Sequence, residues 1–166
     1  DFIASFTPAA GLPYLADLAR LERLRVDVYH AADAPGITLT TLYDALANPA
    51  TLSMATMSLH PSVRLFRSEY AVLSLWLAHQ QANEQFEVAL TQAENILLLR
   101  QQAEVVCCCL SDADWQFVVA MARGMTLGEA MLTVSRQAPC WRIEPVLTLL
   151  IRYQVMTGLM LEGVSI

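Results

Sequence analysis

Ile96-Leu97-Leu98-Leu99-Arg100 and Glu104-Val105-Val106-Cys107-Cys108-Cys109-Leu110 decide the fold of this chain. They are two apolar, strand-like runs with the polar pair Gln101-Gln102 between them, and they read as a β-hairpin. Ser111 follows, with Asp114 three residues on, an arrangement that satisfies the free N–H groups of a helix start. That helix carries Trp115, Val118, Val119 and Ala122 at helical spacing and stops at Gly124. Thr126-Leu127-Gly128-Glu129 is a second capping box and opens another helix. Pro145 sits in the first turn of a third, whose apolar face is Val146, Leu147, Leu150 and Ile151. A return strand is expected before Leu161. Hairpin, three helices and return strand make a winged-helix-like module over 95–166, a layout that recognises a strand of something else.

The preceding segments are patterned differently. Pro13 to Ala32 is an amphipathic helix, with Tyr14, Leu18, Leu21 and Val28 on one face, and Asp33-Ala34-Pro35-Gly36 breaks it. Thr40 to Ala47 is a short helix ended by Asn48-Pro49. Ser53 to His60 reads as a strand, His60-Pro61-Ser62 as a turn, and Val63 to Arg67 as a half-exposed strand. A buried helix begins at Val72. Residues 1–80 are thus expected to be a helix-rich module with a short β-hairpin. The polar run His79 to Glu84 marks a linker, and 81–94 holds this linker with a first short strand. The fold class is α+β. Phe2-Ile3-Ala4-Ser5-Phe6 looks like the inside of a helix, so a further N-terminal region is expected upstream.

Composition narrows the function. The 166 residues include no lysine; ten arginines face sixteen carboxylates, for a net charge of −6. No basic stripe marks a nucleic-acid surface. An apolar run such as Pro145 to Ile151 is far short of the roughly 18 residues of a membrane span. Cytoplasmic localisation follows by default. A high apolar fraction beside few charges suggests a surface partly covered by a partner.

Four cysteines, Cys107, Cys108, Cys109 and Cys140, lack the paired spacing of a zinc site. In a strand, Cys107 and Cys109 share one face and Cys108 takes the other. They read as small apolar residues of a sheet, and free thiols suit a reducing compartment. On the first helix, Glu22, Tyr29 and His30 lie within about 100° of one another. With His60 they are expected to form a buried hydrogen-bond network fixing helix to strand, in preference to a metal or acid–base cluster. No phosphate loop, nucleophile elbow or metal-ligand spacing appears. No cofactor, no metal and no catalysis are expected of this chain alone.

Several stretches together resemble one bacterial family. They are Gly11-Leu12-Pro13-Tyr14-Leu15-Ala16-Asp17-Leu18-Ala19-Arg20-Leu21-Glu22, Tyr29-His30-Ala31-Ala32-Asp33, Leu59-His60-Pro61-Ser62-Val63-Arg64-Leu65, Ser68-Glu69-Tyr70, Leu75-Trp76 and Thr126-Leu127-Gly128-Glu129-Ala130. The family is long catalogued under DNA binding and includes HvfC/BufC-type partner subunits of multinuclear non-haem iron oxidases that modify cysteine-rich peptides. Arg23, where an aromatic is common, and Ala71, where proline is common, depart from its pattern. The C-terminal module resembles the PqqD-like peptide-recognition element. That resemblance implies that a leader peptide adds as an extra strand to the hairpin, beside the third helix. The peptide-binding residues would then be Val105, Val106, Cys107 and Cys108 with Leu147, Leu150 and Ile151.

Two functions follow as expectations. One is a non-catalytic adaptor that binds an iron-dependent oxidase and recruits its cysteine-containing precursor peptide. The other is a DNA-binding winged-helix regulator using Arg136, Arg142 and Arg152. Charge favours the first, because 111–166 holds four arginines against five carboxylates.

Overall fold

A computed structural model describes residues 2–7, 10–38, 40, 47, 49–80, 88–161 and 164–165. The protein is α+β, and its chain divides into two compact units that interleave along the sequence. The first unit holds 1–30 with 64–110, and the second 31–63 with 111–166. This division differs from the expected modules at 1–80 and 95–166. The hairpin belongs with the N-terminal helix, and the three C-terminal helices belong with the segment before residue 64.

The first unit contains α1 (Phe2–Ser5), α2 (Leu15–Tyr29), β2 (Arg64–Ser68), α4 (Val72–Gln80), β3 (Glu94–Gln101) and β4 (Glu104–Leu110). Its sheet runs β2-β3-β4, antiparallel throughout, with Phe66 opposite Ile96 and Leu98 opposite Cys107. β3 is central and buried from Glu94 to Leu99, as expected of an apolar run with a strand on each side. Alternation puts Phe66, Ile96, Leu98, Val105 and Cys107 on one face, against which α2 and α4 pack. There Leu21, Val28, Val72 and Leu73 complete the core, each at most 1% exposed. Burying such a side chain stabilises by about 1.5–3 kcal/mol. Leu97 and Leu99 occupy the other face and are buried as well.

Polar groups fix the register of helices on this sheet. Ser68 Oγ donates to Asp17 of α2 (2.7 Å), and Arg100 donates to the Tyr29 carbonyl at the end of α2. The buried Glu94 accepts the N–H of Leu73 (2.7 Å) and the hydroxyl of Ser74 (2.5 Å). A strand carboxylate thus caps the first turn of α4, where free N–H groups and the helix dipole both favour an anion.

The second unit contains α3 (Pro49–Met54), β1 (Thr56–Leu59), α5 (Asp112–Ala122), α6 (Leu127–Gln137), α7 (Ile143–Arg152), β5 (Met156–Leu161) and β6 (Val164–Ser165). Its sheet runs β1-β5-β6. Both expected caps are present: Ser111 Oγ accepts the Asp114 N–H, and Thr126 and Glu129 form a reciprocal box. α5 ends in a Schellman motif with Gly124 at φ +81°, where Met125 N–H reaches Ala120 O and Gly124 N–H reaches Met121 O. The buried face of α5 is Phe117, Val118, Ala120 and Met121, so the expected stripe of Trp115, Val118, Val119 and Ala122 is rotated.

Two pairings correct the sequence reading. The strands on either side of His60-Pro61-Ser62 do not form a hairpin: β1 pairs with β5, and β2 with β3. The return strand β5 joins β1, not the hairpin. Register explains this, since Met57 lies opposite Leu159 with both buried, while Thr56 and Met160 lie opposite each other on the other face. The expected helix from Thr40 to Ala47 lies almost wholly outside the described residues, as do 81–84 of the proposed linker; His79 and Gln80 end α4.

Candidate functional site: a strand edge beside an aromatic–cation cavity

β4 is the last strand of its sheet, and among the described residues none lies beyond it. From Val105 to Leu110 it carries no charge. The hairpin turns through Gln102-Ala103, so Gln101 and Glu104 form the closing pair. In a two-residue hairpin that pair is hydrogen-bonded, and alternation follows from it. Main-chain groups of Glu104, Val106, Cys108 and Leu110 therefore point to β3. Those of Val105, Cys107 and Cys109 point outward, the geometry a further strand needs.

Beside this edge lies an open cavity of about 360 Å³, lined by Glu22, Arg25, Val26 and Tyr29 of α2, His30 at its C-cap, Trp76 of α4 and Val105 of β4. Helical spacing brings the α2 residues to one side, because 22, 26, 29 and 30 fall within two turns. The Arg25 guanidinium carbon stands 3.9 Å from the centre of the Trp76 ring, and one of its N–H groups donates to Cys107 Sγ (3.3 Å). Arg25 is thereby tied at two points. Val26 and Tyr29 are 50% and 51% exposed, leaving apolar surface on α2 next to the strand edge. The Tyr29 and His30 rings meet edge to face at 5.1 Å.

All four cysteines are free thiols. Burial pushes the Cys107 thiol up, and Arg25 partly opposes it. Cys109 is pushed up to about 11, first by burial and then by the Glu94 carboxylate that its thiol faces. Neither is a ready nucleophile at neutral pH.

Of the expected peptide-binding residues, Val105, Val106, Cys107 and Cys108 lie on β4, with Val105 and Cys107 toward α2. Leu147, Leu150 and Ile151 lie in the other unit. Leu150 is fully buried, while Leu147 and Ile151 line a wholly apolar cavity of about 100 Å³ with Leu52, Met57, Leu127, Met156 and Leu159. Within its own unit, the helix that packs on β4 is α2.

The expected network also divides. Glu22, Tyr29 and His30 come together, but they are exposed and line the cavity instead of forming a buried network. His60 belongs to the second unit, where its ring meets the N–H and Oγ of Ser62 (3.1 and 2.8 Å) and the N–H of Ala34 (3.3 Å). It locks a turn. Arg136, Arg142 and Arg152 are all exposed. Arg142 pairs with Glu144 at 2.7 Å, which holds that carboxyl below the usual range, and Arg152 lies 5.6 Å from the centre of the Tyr153 ring. Arg25 and Val26 were not singled out by sequence, and Trp76 stood out only within the Leu75-Trp76 motif; Arg25 reads as part of a solvated helix face until Trp76 is placed beside it. Among the described residues, no three His, Cys, Asp or Glu side chains are placed to hold a metal ion, and no helix is long and apolar enough to cross a membrane.

Neither a protein-family model nor a curated protein matches this chain.

Proposed function

We propose that the chain is a non-catalytic adaptor that takes up an extended segment of a partner polypeptide at the edge of β4. The observation that carries this reading is an uncharged terminal strand whose outward main-chain groups at Val105, Cys107 and Cys109 have no strand beyond them among the described residues. Strand addition supplies affinity through main-chain hydrogen bonds and specificity through alternate side-chain pockets. The exposed Val26 and Tyr29 add apolar area beside that edge. The sequence resemblance described above suggests the partners: a multinuclear iron oxidase and its cysteine-containing precursor peptide.

Co-expression tests this. The chain is produced with an iron oxidase and a cysteine-containing peptide encoded beside it, and the mixture is resolved by size exclusion. Co-elution of the chain with oxidase and peptide is the expected result, with slowed amide exchange at Val105, Cys107 and Cys109. Elution of the chain alone, with both candidates present and folded, contradicts the adaptor role.

A further inference from the structure

We infer that the cavity between α2 and β4 is a pocket for one aromatic side chain of the bound strand, held by stacking on Arg25. The inference rests on strand addition at β4 and adds the class of residue recognised.

Position comes first. The cavity opens at Val105, whose side chain is on the α2 face of the sheet. A residue of an added strand lying opposite Val105 presents its side chain on that same face. It enters the cavity without any change of backbone direction.

Chemistry selects the side chain. A guanidinium has two flat faces, and the Arg25 guanidinium carbon lies over the Trp76 ring, 3.9 Å from its centre, within stacking distance. Arg25 also lines the cavity, so an incoming ring completes a Trp–Arg–aromatic stack. The partners of Arg25 are a sulfur and a ring, and no ion pair to it exists among the described residues. Its charge is therefore available to the electron-rich face of a second ring. Val26 and Val105 supply apolar walls for the ring edges. An acidic side chain would also meet Arg25, but it would face Glu22 and lose water against those apolar walls.

A random dodecapeptide display library panned on the whole chain tests the pocket. Enriched sequences are expected to share one aromatic position within an alternating, extended pattern. Changing that aromatic to alanine should weaken binding about tenfold by fluorescence anisotropy. On Arg25→Lys, which keeps the charge and loses the flat stacking face, the same change should cost little. Val26→Trp, made at an exposed helix position, should fill the cavity and also erase the aromatic preference. Thermal melts establish that both variants fold. Enrichment of acidic residues there, no preferred position, or an undiminished aromatic advantage on folded Arg25→Lys and Val26→Trp overturns the pocket. N-methylation of alternate peptide amides tests strand addition separately. If it leaves affinity unchanged, or if no peptide is enriched, strand addition fails and the pocket with it.

Discussion

At Gly128 a single hydrogen separates a good fit from a clash. A Cβ there would stand 2.9 Å from the main-chain oxygen of Ser53 and 3.3 Å from its Cβ. The adjacent Leu127 N–H donates to Ala55 O at 2.8 Å, so the start of α6 is held close to the end of α3. Gly128→Ala is expected to cost about 1–3 kcal/mol as the backbone gives way. Gly11→Ala, with nothing within 4 Å, should change the melting temperature little. Equal effects would refute the close-packing account. Cys109 makes a second prediction. Its thiol is pushed up to about 11, so the neutral form persists well above neutral pH. Alkylation by iodoacetamide, followed by peptide mass mapping, should be slow at pH 8 and have its midpoint near 11. Glu94→Gln removes the repelling carboxylate and should lower that midpoint. A wild-type midpoint at or below 9 would contradict the assignment.

Elements were legible where their signals are local. The hairpin, both helix N-caps and the helix opening near Pro145 all follow from residues within four or five positions of one another. α3 was missed because Asn48-Pro49 reads as a helix end, although proline is equally suited to a helix start. Strand pairing was not legible in the same way. His60-Pro61-Ser62 is a turn, as its sequence says, but turn chemistry does not tell two strands to pair with each other. β1 finds its partner in β5 about a hundred residues later. The α4 cap has the same character, since it comes from Glu94 on β3, twenty residues beyond Ser74. Half of the candidate site was therefore readable: the uncharged run from Val105 to Leu110 announces an edge. The other half was not, because the wall of the cavity depends on which helix packs beside that edge. Within its unit the helix that packs on β4 is α2, and no local signal pairs Val26 or Tyr29 with Val105.

For the molecule as a whole, charge and the strand edge point the same way. The ten arginines are outnumbered by sixteen carboxylates and no lysine adds to them, a balance that disfavours duplex binding, which draws its affinity from cations. Titration with random duplex at about 150 mM salt should show nothing tighter than about 10⁻⁶ M, a nonspecific level. Submicromolar affinity with a steep salt slope would reverse the choice between adaptor and DNA regulator. The central claim, however, is that β4 receives a partner strand through Val105, Cys107 and Cys109. A proline scan at Val106, Cys107 and Cys108, read by both peptide affinity and thermal stability, tests it most directly. Proline at Cys107 removes an outward N–H and should weaken peptide binding by at least about 1 kcal/mol while the hairpin persists. Proline at Val106 or Cys108 removes a bond to β3, leaves its carbonyl partner unsatisfied, and should cost about 1–3 kcal/mol of stability. Loss of stability by all three variants alike, or retained affinity in Cys107→Pro, would contradict strand addition at β4.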